Sequence, residues 1–229
     1  MRPLNVICFY WNGDRWNAND KLASRYVNNL YRGVARNLTL PFHFVCFSNE
    51  SLNLDDSIEQ RSFESPFTKG VLPRLYMFSE QAGLMGCQVL CLDIDIIITG
   101  SLDDIASYRG EFCARSKFAP GQEHKIDGDI IGFHANEENE ERFWYKALNN
   151  PANVLNLTGG RERYWIRHVV GEQGGDRWNR LYPGQIMSYK RHVRLNNKVP
   201  NNARIVSCHG EPRPHVLAKK HQWAKECWK

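Results

Sequence analysis

The sequence predicts an α/β fold with an open, largely parallel β-sheet and helices on both faces. Short apolar runs alternate along the chain with segments whose apolar residues recur at helical spacing, and this alternation is typical of strand–helix–strand units. With 229 residues and 26.6 kDa, the chain is long enough for one sizeable core and too short for two independent domains. We therefore expect a single domain over residues 1–229.

The first half of the chain begins with a strand, a loop and a helix. Leu4–Tyr10 is an apolar run that predicts a buried strand, and the polar segment Trp11–Asn19 follows as a loop. Apolar residues then recur at helical spacing through Asp20–Asn37, which predicts a helix with one apolar stripe. The later elements of this half are the strands Phe42–Ser48 and Ile58–Phe63 and the helix Leu72–Gln81, with a break at Gly86.

The second half has shorter apolar runs between polar segments. Its predicted strands are Glu111–Ser116, Asp129–His134, Gln185–Lys190 and Arg204–Cys208. Glu137–Asn149 is rich in charge and predicts a surface helix, and we expect a short helix at Arg161–Val170. The rest of residues 151–184 is rich in Gly, Arg and Trp and is assigned to no regular element.

Two carboxylates stand inside the most apolar strand of the sequence. Asp93 and Asp95 interrupt the run Gln88–Leu102, although an unpaired carboxylate in a buried strand costs several kcal/mol. Residues i and i+2 of a strand point to the same side, so both carboxylates can converge on one cation. Hard oxygen ligands suit Mg²⁺ or Mn²⁺, and either metal can also hold a substrate diphosphate. The run therefore predicts a metal site at the carboxyl end of a strand, where ligands of open α/β sheets bind.

Positive charge is concentrated in the last third of the chain. The net charge of the whole sequence is +5, but residues 161–229 hold 15 Lys and Arg against 5 Asp and Glu, a net +10. This surplus indicates an anionic partner, such as a nucleotide diphosphate, nucleic acid or an acidic membrane surface; a solvated basic face is the alternative. Trp223 and Trp228 in the basic tail suggest either an amphipathic membrane foot or a helix that packs both indoles on the core.

The sequence shows no segment typical of membrane insertion or export. No run approaches the ~18 consecutive apolar residues of a membrane span, and the N-terminus lacks the apolar core and cleavage site of a signal peptide. The seven cysteines are scattered without the spacing of metal ligands, and several lie in apolar strand-like runs. We therefore expect a cytoplasmic protein with free thiols.

Several motifs occur in an order that resembles glycosyltransferase family 8, which includes glycogenin and the bacterial lipooligosaccharide galactosyltransferases. The matching segments are Trp11–Asp14, Pro73–Phe78, Val89–Asp95, Gly100–Ile105 and Ile205–Pro214. The resemblance implies the GT-A fold, with a mixed, mostly parallel sheet flanked by helices. Residues 1–110 would be the nucleotide-binding half and residues 111–229 the acceptor-side half. The implied activity is transfer of a sugar from a nucleotide-diphosphate donor, UDP-linked, to an acceptor hydroxyl with retention of configuration.

The resemblance also implies a metal site and two phosphate contacts. Mn²⁺ or Mg²⁺ would be held by Asp93, Asp95 and His209, the histidine that ends the last apolar strand. Arg213 stands where the relatives have a lysine that reaches the diphosphate, and a planar guanidinium suits phosphate oxygens. Arg74 corresponds to the family arginine near the donor sugar and phosphates; a structural salt bridge is its alternative role.

Five further residues are implied to contact the donor. Tyr10, Trp11 and Asp14 lie on the loop after the first strand, where the nucleotide base is expected, although Trp11 also fits a core or lid position. Ile94, between the two acids, and Gly210, in the closing motif, complete the implied substrate contacts.

The reacting sugar is expected beside two other segments. Asp127 and Asp129 occupy the place of the relatives' Asn-x-Gly strand, which faces the donor sugar; a turn-forming Asp-Gly is the alternative. Glu172 and Gln173 resemble the family's Asp-Gln segment beside the reacting sugar, so Glu172, Gln173 and Asp129 are the candidate catalytic residues. Glycines and arginines across residues 153–175 predict a mobile flap over the donor, with a fixed surface loop as the alternative.

The sequence leaves the acceptor open. Related transferases mostly glycosylate glycans, so a saccharide or lipid-linked acceptor is favoured, and peripheral contact with a membrane is compatible with it. The basic last third also fits nucleic acid, such as hydroxylated bases in DNA. A catalytically inactive module that only binds a sugar nucleotide is the third alternative.

Overall fold

The computed structural model describes residues 2–12, 20–171 and 174–229. It contains a seven-stranded sheet and a three-stranded sheet beside it. In spatial order, the large sheet holds β3 (Ile58–Arg61), β2 (His43–Phe47), β1 (Leu4–Phe9), β4 (Gln88–Leu92), β7 (Ile126–His134), β6 (Phe112–Ser116) and β8 (Asp176–Arg177). The small sheet holds β5 (Ile96–Ile98), β10 (Ile205–Ser207) and β9 (Ile186–Ser188).

Strand directions make the large sheet mixed but mostly parallel. The pairs β1–β2, β2–β3, β1–β4 and β6–β8 are parallel, whereas β7 runs antiparallel to both β4 and β6. The carboxyl ends of β1, β4 and β6 therefore meet at one edge of the sheet, together with the first residues of β7. Ligands of open α/β sheets bind at such an edge.

Helical segments connect and cover the strands. The α-helices are α1 (Asp20–Asn37), α2 (Asp103–Ala106), α3 (Glu137–Asn139), α4 (Lys146–Leu148), α5 (Pro151–Thr158), α6 (Glu162–Val170), α7 (Trp178–Leu181), α8 (Pro214–Lys220) and α9 (Gln222–Cys227). Leu72–Phe78 and Glu80–Ala82 are 3₁₀ segments, and Glu140–Tyr145 and Tyr189–Val193 are π-helical. Within the described ranges, the helices lack the combination of length and apolar character that crossing a membrane takes.

Two apolar layers pack on the two faces of the large sheet. Successive residues of β1 alternate between them: Val6 and Cys8 join the layer with α1, and Ile7 and Phe9 join the layer with the 3₁₀ segment Leu72–Phe78. All six residues of β1 are buried, as a strand covered on both faces requires. The predicted α/β architecture is therefore confirmed.

The helix predicted at Leu72–Gln81 and the strand predicted from Asp129 are among the elements that differ in detail from the prediction. Leu72–Gln81 is helical but forms 3₁₀ segments instead of one α-helix. Every residue of Leu72–Phe78 is buried, so this segment packs around its whole circumference and shows no solvent-facing stripe. The strand predicted from Asp129 begins three residues earlier, at Ile126, and this extension brings Asp127 into the sheet.

A close contact between β7 and α7 makes Gly132 sensitive to substitution. A methyl group added at Gly132 would lie 2.5 Å from Cζ2 of Trp178, whose buried indole donates a hydrogen bond to the carbonyl of Ile130. Gly132→Ala is expected to lower the free energy of unfolding by about 1–3 kcal/mol, because a rigid, enclosed ring cannot move away. Urea denaturation measures this change.

The matched control is the same substitution in a Trp178→Phe background. The smaller ring leaves room for the methyl group, so the two substitutions should be strongly non-additive. An equal cost of Gly132→Ala in both backgrounds would show that the indole contact is not its cause.

Candidate active site

A pocket of about 580 Å³ opens at the carboxyl edge of the large sheet. Residues after β1 line one end, residues after β4 line the middle, and residues from the start of β7 and the end of β6 continue the wall. Eleven of the predicted site residues line this one cavity: Tyr10, Trp11, Arg74, Asp93, Ile94, Asp95, Asp127, Asp129, His209, Gly210 and Arg213. Residues that are far apart in the sequence therefore meet where the predicted site was expected.

The two acids of the Asp-x-Asp motif lie on a turn, which corrects the prediction that they lie on a strand. β4 ends before Asp93, and β5, which begins after Asp95, belongs to the other sheet. The backbone N–H of Asp93 donates to the carbonyl of Asp129 at 2.8 Å, and the carbonyl of Asp95 accepts from Cys208 at 3.3 Å. The turn is thus held by both sheets, and both side chains still face the pocket.

Arg74 occupies the centre of a buried network of charges. Its side chain is only 7% exposed, and Nη1 lies 2.8 Å from a carboxylate oxygen of both Asp93 and Glu162. Nη2 donates to the carbonyl of Gly128 at 3.0 Å and contacts the Cys91 sulfur at 3.3 Å. Arg74 therefore makes the salt bridge considered as its alternative role, and it also lines the pocket.

Asp95 has its own arginine on the opposite wall. Arg213, which precedes α8, forms an ion pair with Asp95. His209, which also lines the pocket, has Nε2 2.8 Å from the hydroxyl of Ser188. Within the described ranges, no three His, Cys, Asp or Glu side chains are grouped closely enough to hold a metal ion. In this conformation each acid of the motif is therefore matched with an arginine.

Asp129 is held by two neighbours and is not free to move. One carboxylate oxygen accepts from Nε of Arg115 at 2.6 Å, and the other accepts from the hydroxyl of Ser207 at 2.5 Å. Arg115 also pairs with Asp127 at 3.2 Å, and Asp127 pairs with Arg163 at 3.1 Å. These contacts link β6, β7, β10 and α6 across the floor of the pocket.

The pKa values of the three aspartates are shifted in different directions. Burial raises the pKa of Asp93 to about 8 and that of Asp95 to about 6, although Arg74 and Arg213 act in the opposite direction. Burial also acts to raise the pKa of Asp129, but Arg115 and Ser207 outweigh it and lower that pKa below its usual value. The Asp93–Asp95 turn thus holds carboxylates that an additional cation would stabilise in their charged form.

The end of the pocket after β1 is aromatic. Tyr10 is 2% exposed, and its hydroxyl donates to the side-chain oxygen of Asn12 at 3.3 Å. Trp11 is partly buried, packs edge-on against Phe63 and lines the pocket. Asp14, which was predicted to lie beside them, falls outside the described residues. Tyr10 and Trp11 offer flat apolar surface at the edge of the cavity, as a planar base requires.

Glu162, the acid at the start of α6, was not among the residues predicted for the site. Glu162 is 4% exposed, contacts Arg74 and lines the pocket, with Arg163 beside it. The predicted catalytic residues Glu172 and Gln173 lie outside the described residues. The only local signal for Glu162 was an acid in the first turn of a predicted helix, which is also typical of solvent-exposed helices.

The predicted flap carries ordered helical structure. Residues 153–175 include most of α5 and all of α6. Trp165 is 5% exposed and donates to the carbonyl of Phe143 at 2.8 Å, and Glu162 anchors the first turn of α6 to Arg74. Arg161 and Arg163 line the pocket, so the segment borders the cavity as predicted. Its mobility stays a prediction.

The pocket has a surplus of cations among the side chains that line it. Among the described residues that line the pocket, seven arginines and lysines stand against five carboxylates: Arg74, Arg115, Lys117, Arg161, Arg163, Arg191 and Arg213 against Asp93, Asp95, Asp127, Asp129 and Glu162. The formal surplus of two positive charges places the cavity among sites that favour anionic ligands.

Part of the basic C-terminal charge surrounds a second groove, of about 660 Å³, between α1 and the last two helices. Arg25, Lys219 and Lys225 are among its lining residues. Trp228 is 2% exposed and packs edge-on against Tyr26 at 5.0 Å between ring centroids. Core packing, one of the two predicted roles of the tail tryptophans, is therefore what the structure shows for Trp228.

Comparison with known proteins gives matches in structure and not in sequence. No protein-family model and no curated protein sequence matches the chain. The glycosyltransferase GlyE of Streptococcus pneumoniae TIGR4 is similar over 93% of this chain, with a TM-score of 0.63 and 13% identity. This chain spans only 56% of the length of GlyE.

Two structures of the galactosyltransferase LgtC are similar over almost the full length of both chains. An active-site variant of LgtC has a TM-score of 0.66 and 11% identity, with 97% of this chain and 93% of LgtC covered. LgtC in complex with donor and acceptor sugar analogues has a TM-score of 0.63 and 10% identity, with 98% and 96% covered. The mixed sheet, the flanking helices and these neighbours together show that the chain has the GT-A fold of glycosyltransferases.

Proposed function

We propose that the protein is a glycosyltransferase that takes a sugar from a nucleotide-diphosphate donor, UDP-linked, and transfers it to an acceptor hydroxyl with retention. The observation that carries this proposal is the pairing of Asp93 with Arg74 and of Asp95 with Arg213 in one pocket at the carboxyl edge of the sheet. Aromatic side chains line one end of this pocket, and cationic side chains are concentrated beyond them. A nucleoside diphosphate has the matching arrangement of a planar base and two phosphates.

The side chains of Asp93, Asp95 and His209 have the ligand atoms that a hard divalent cation takes, although in this conformation they are not grouped closely enough to hold one. Two carboxylates and the imidazole of His209 line the pocket, and oxygen and nitrogen ligands suit Mn²⁺. We propose that Asp93, Asp95 and His209 hold Mn²⁺ or Mg²⁺ once the carboxylates exchange their arginines for the metal. When bound, such a metal supplies positive charge to the departing diphosphate.

The arginines of the pocket would act on the same leaving group. Released from its carboxylate, Arg213 offers a guanidinium fork to phosphate oxygens, and Arg74 adds a fixed positive charge from the opposite wall. Because Arg74 is held by Glu162 and the carbonyl of Gly128 as well as by Asp93, it stays in place when Asp93 changes partner. Preorganised cations of this kind cost no rearrangement during the reaction.

Glu162 and Asp129 would take different roles beside the sugar. Both carboxylate oxygens of Asp129 already accept hydrogen bonds from Arg115 and Ser207, so we propose that Asp129 positions Arg115 and the turn and does not attack the sugar. Glu162 contributes a buried carboxylate to the pocket, which suits hydrogen bonds to sugar hydroxyls. We propose that Glu162 takes the role beside the reacting sugar that was considered for Glu172.

Hydrolysis of nucleotide sugars tests the function. A panel of UDP-, GDP- and ADP-linked sugars is incubated with the protein and Mn²⁺, and nucleoside diphosphate release is measured. We expect slow release from a UDP-sugar, its loss with excess EDTA and its return with added Mn²⁺. Full turnover without metal would overturn the metal assignment, and neither binding nor turnover of any nucleotide sugar would overturn the function itself.

A further inference from the structure

We infer that the acceptor is an anionic saccharide, one that carries a phosphate or a carboxylate near the hydroxyl that is glycosylated. This inference rests on the proposed function and adds the class of the second substrate. It follows from two observations. Three described cations that line the pocket form no ion pair with its carboxylates, and two of these cations lie at the end of the pocket opposite Tyr10 and Trp11.

Among the described residues that line the pocket, four arginines pair with the five carboxylates, which leaves three cations without an acidic partner. Arg74, Arg115, Arg163 and Arg213 make the ion pairs described above. Lys117, Arg161 and Arg191 also line the pocket, and in the described part of the chain they form no ion pair with a carboxylate. Lys117 donates to the amide oxygen of Gln122 at 2.7 Å, which leaves its charge uncompensated.

Lys117 and Arg191 lie at the end of the pocket opposite the aromatic residues. Tyr10 follows β1, whereas Lys117 follows β6, three strands further along the sheet and thus about 14 Å away at the usual strand spacing. The rings of Phe118 and His192, the neighbours of these two cations, lie 5.0 Å apart. Residues 117–118 and 191–192 therefore meet in space and present both cations at the same end.

Charge balance assigns these cations to the acceptor. The diphosphate of a nucleotide sugar carries two negative charges, which one divalent metal offsets. The formal surplus of two positive charges among the described residues that line the pocket then remains after the donor and metal have bound. A neutral acceptor would leave this surplus uncompensated, whereas a phosphate monoester between Lys117 and Arg191 would offset nearly all of it and a carboxylate would offset half of it.

The test is a titration of the protein saturated with UDP and Mn²⁺, so that the donor contacts are already occupied. Glucose, glucose 6-phosphate and glucuronate are added separately, and heat release is measured at low and at moderate salt. We expect the two anionic sugars to bind, more weakly as salt rises, and glucose not to bind at the same concentrations. The two anionic sugars distinguish a phosphate preference from a carboxylate preference.

The variant Lys117→Gln/Arg191→Gln removes both cations, and Lys198→Gln/Lys220→Gln removes the same charge from exposed positions elsewhere. The first is expected to weaken binding of the anionic sugar about tenfold, because both cations that pair with its charge are lost; the second should change it less than twofold. Equal binding of glucose, no binding of any of the three sugars, an equal effect of the two variants, or displacement of the sugars by duplex DNA would overturn the inference. Failure of UDP to bind wild-type protein would instead count against the proposed function.

Discussion

Replacing Arg74 with methionine is expected to lower the free energy of unfolding by about 3–5 kcal/mol, because the substitution leaves a buried carboxylate without its cation. Glu162 has only 5% of its side chain exposed, and Arg74 is the cation that holds it. Methionine fills much of the same volume but supplies neither the charge nor the donor to the carbonyl of Gly128. Chemical denaturation at pH 7 measures the change.

A double variant separates the charge effect from the loss of packing. In Arg74→Met/Glu162→Met two apolar side chains replace the buried Arg74–Glu162 pair, and such replacements are often neutral or stabilising. Asp93 also loses its arginine, but 34% of its side chain is exposed, so water solvates its carboxylate in part. We expect the double variant to recover most of the lost stability but not the binding of UDP-sugar. A double variant as unstable as Arg74→Met alone would show that packing around Arg74, and not the unpaired Glu162, determines the loss.

The second large effect is expected on activity, from Asp93→Asn and Asp95→Asn. Each substitution removes a negatively charged metal ligand while keeping nearly the same shape, so donor hydrolysis should fall about a hundredfold or more. Asp56→Asn, at an exposed position, is the matched control and should leave hydrolysis unchanged. Wild-type turnover by both pocket variants would eliminate the proposed metal site.

The same two substitutions should not destabilise the fold at pH 7. Because burial raises the pKa of Asp93 to about 8, well above the value of about 3.9 expected in the unfolded chain, its ionisation favours unfolding between these two pH values. An asparagine does not ionise, so Asp93→Asn should unfold at an equal or higher urea concentration than wild type at pH 7. Loss of activity together with retained stability would distinguish a functional carboxylate from a structural one.

Local patterns were sufficient to predict the architecture and most of the pocket. β1 and α1 have strong apolar periodicity, and their order along the chain predicts a sheet whose carboxyl edge gathers Tyr10, Asp93 and Asp95. The strand predicted around the two acids was wrong because the apolar residues before Asp93 and the isoleucines after Asp95 look like one continuous run. β5 pairs with β10, more than a hundred residues later, and no local pattern reveals that β4 and β5 enter different sheets.

The ion pairs around Arg74 could not be predicted from sequence patterns, for a similar reason. Glu162 is separated from Arg74 by 88 residues along the chain, and an acid between Arg161 and Arg163 resembles part of a solvated helix. Only tertiary packing turns this surface-like pattern into a buried pair. The matching of each acid of the turn with its own arginine likewise depends on long-range contacts with the 3₁₀ segment and with the start of α8.

Because the turn that carries Asp93 and Asp95 connects the two sheets, the distance between these residues depends on how the sheets pack. One end of the turn is fixed to Asp129 in the large sheet and the other to Cys208 next to the small sheet, so the separation of the carboxylates depends on how the sheets lie against each other. The small sheet in turn rests on α1, where a methyl group at Gly33 would come within 3.2 Å of Ile98. Engineering this interface for thermostability would therefore also change the separation of Asp93 and Asp95, and variants made there need screening for binding of the proposed donor as well as for melting temperature.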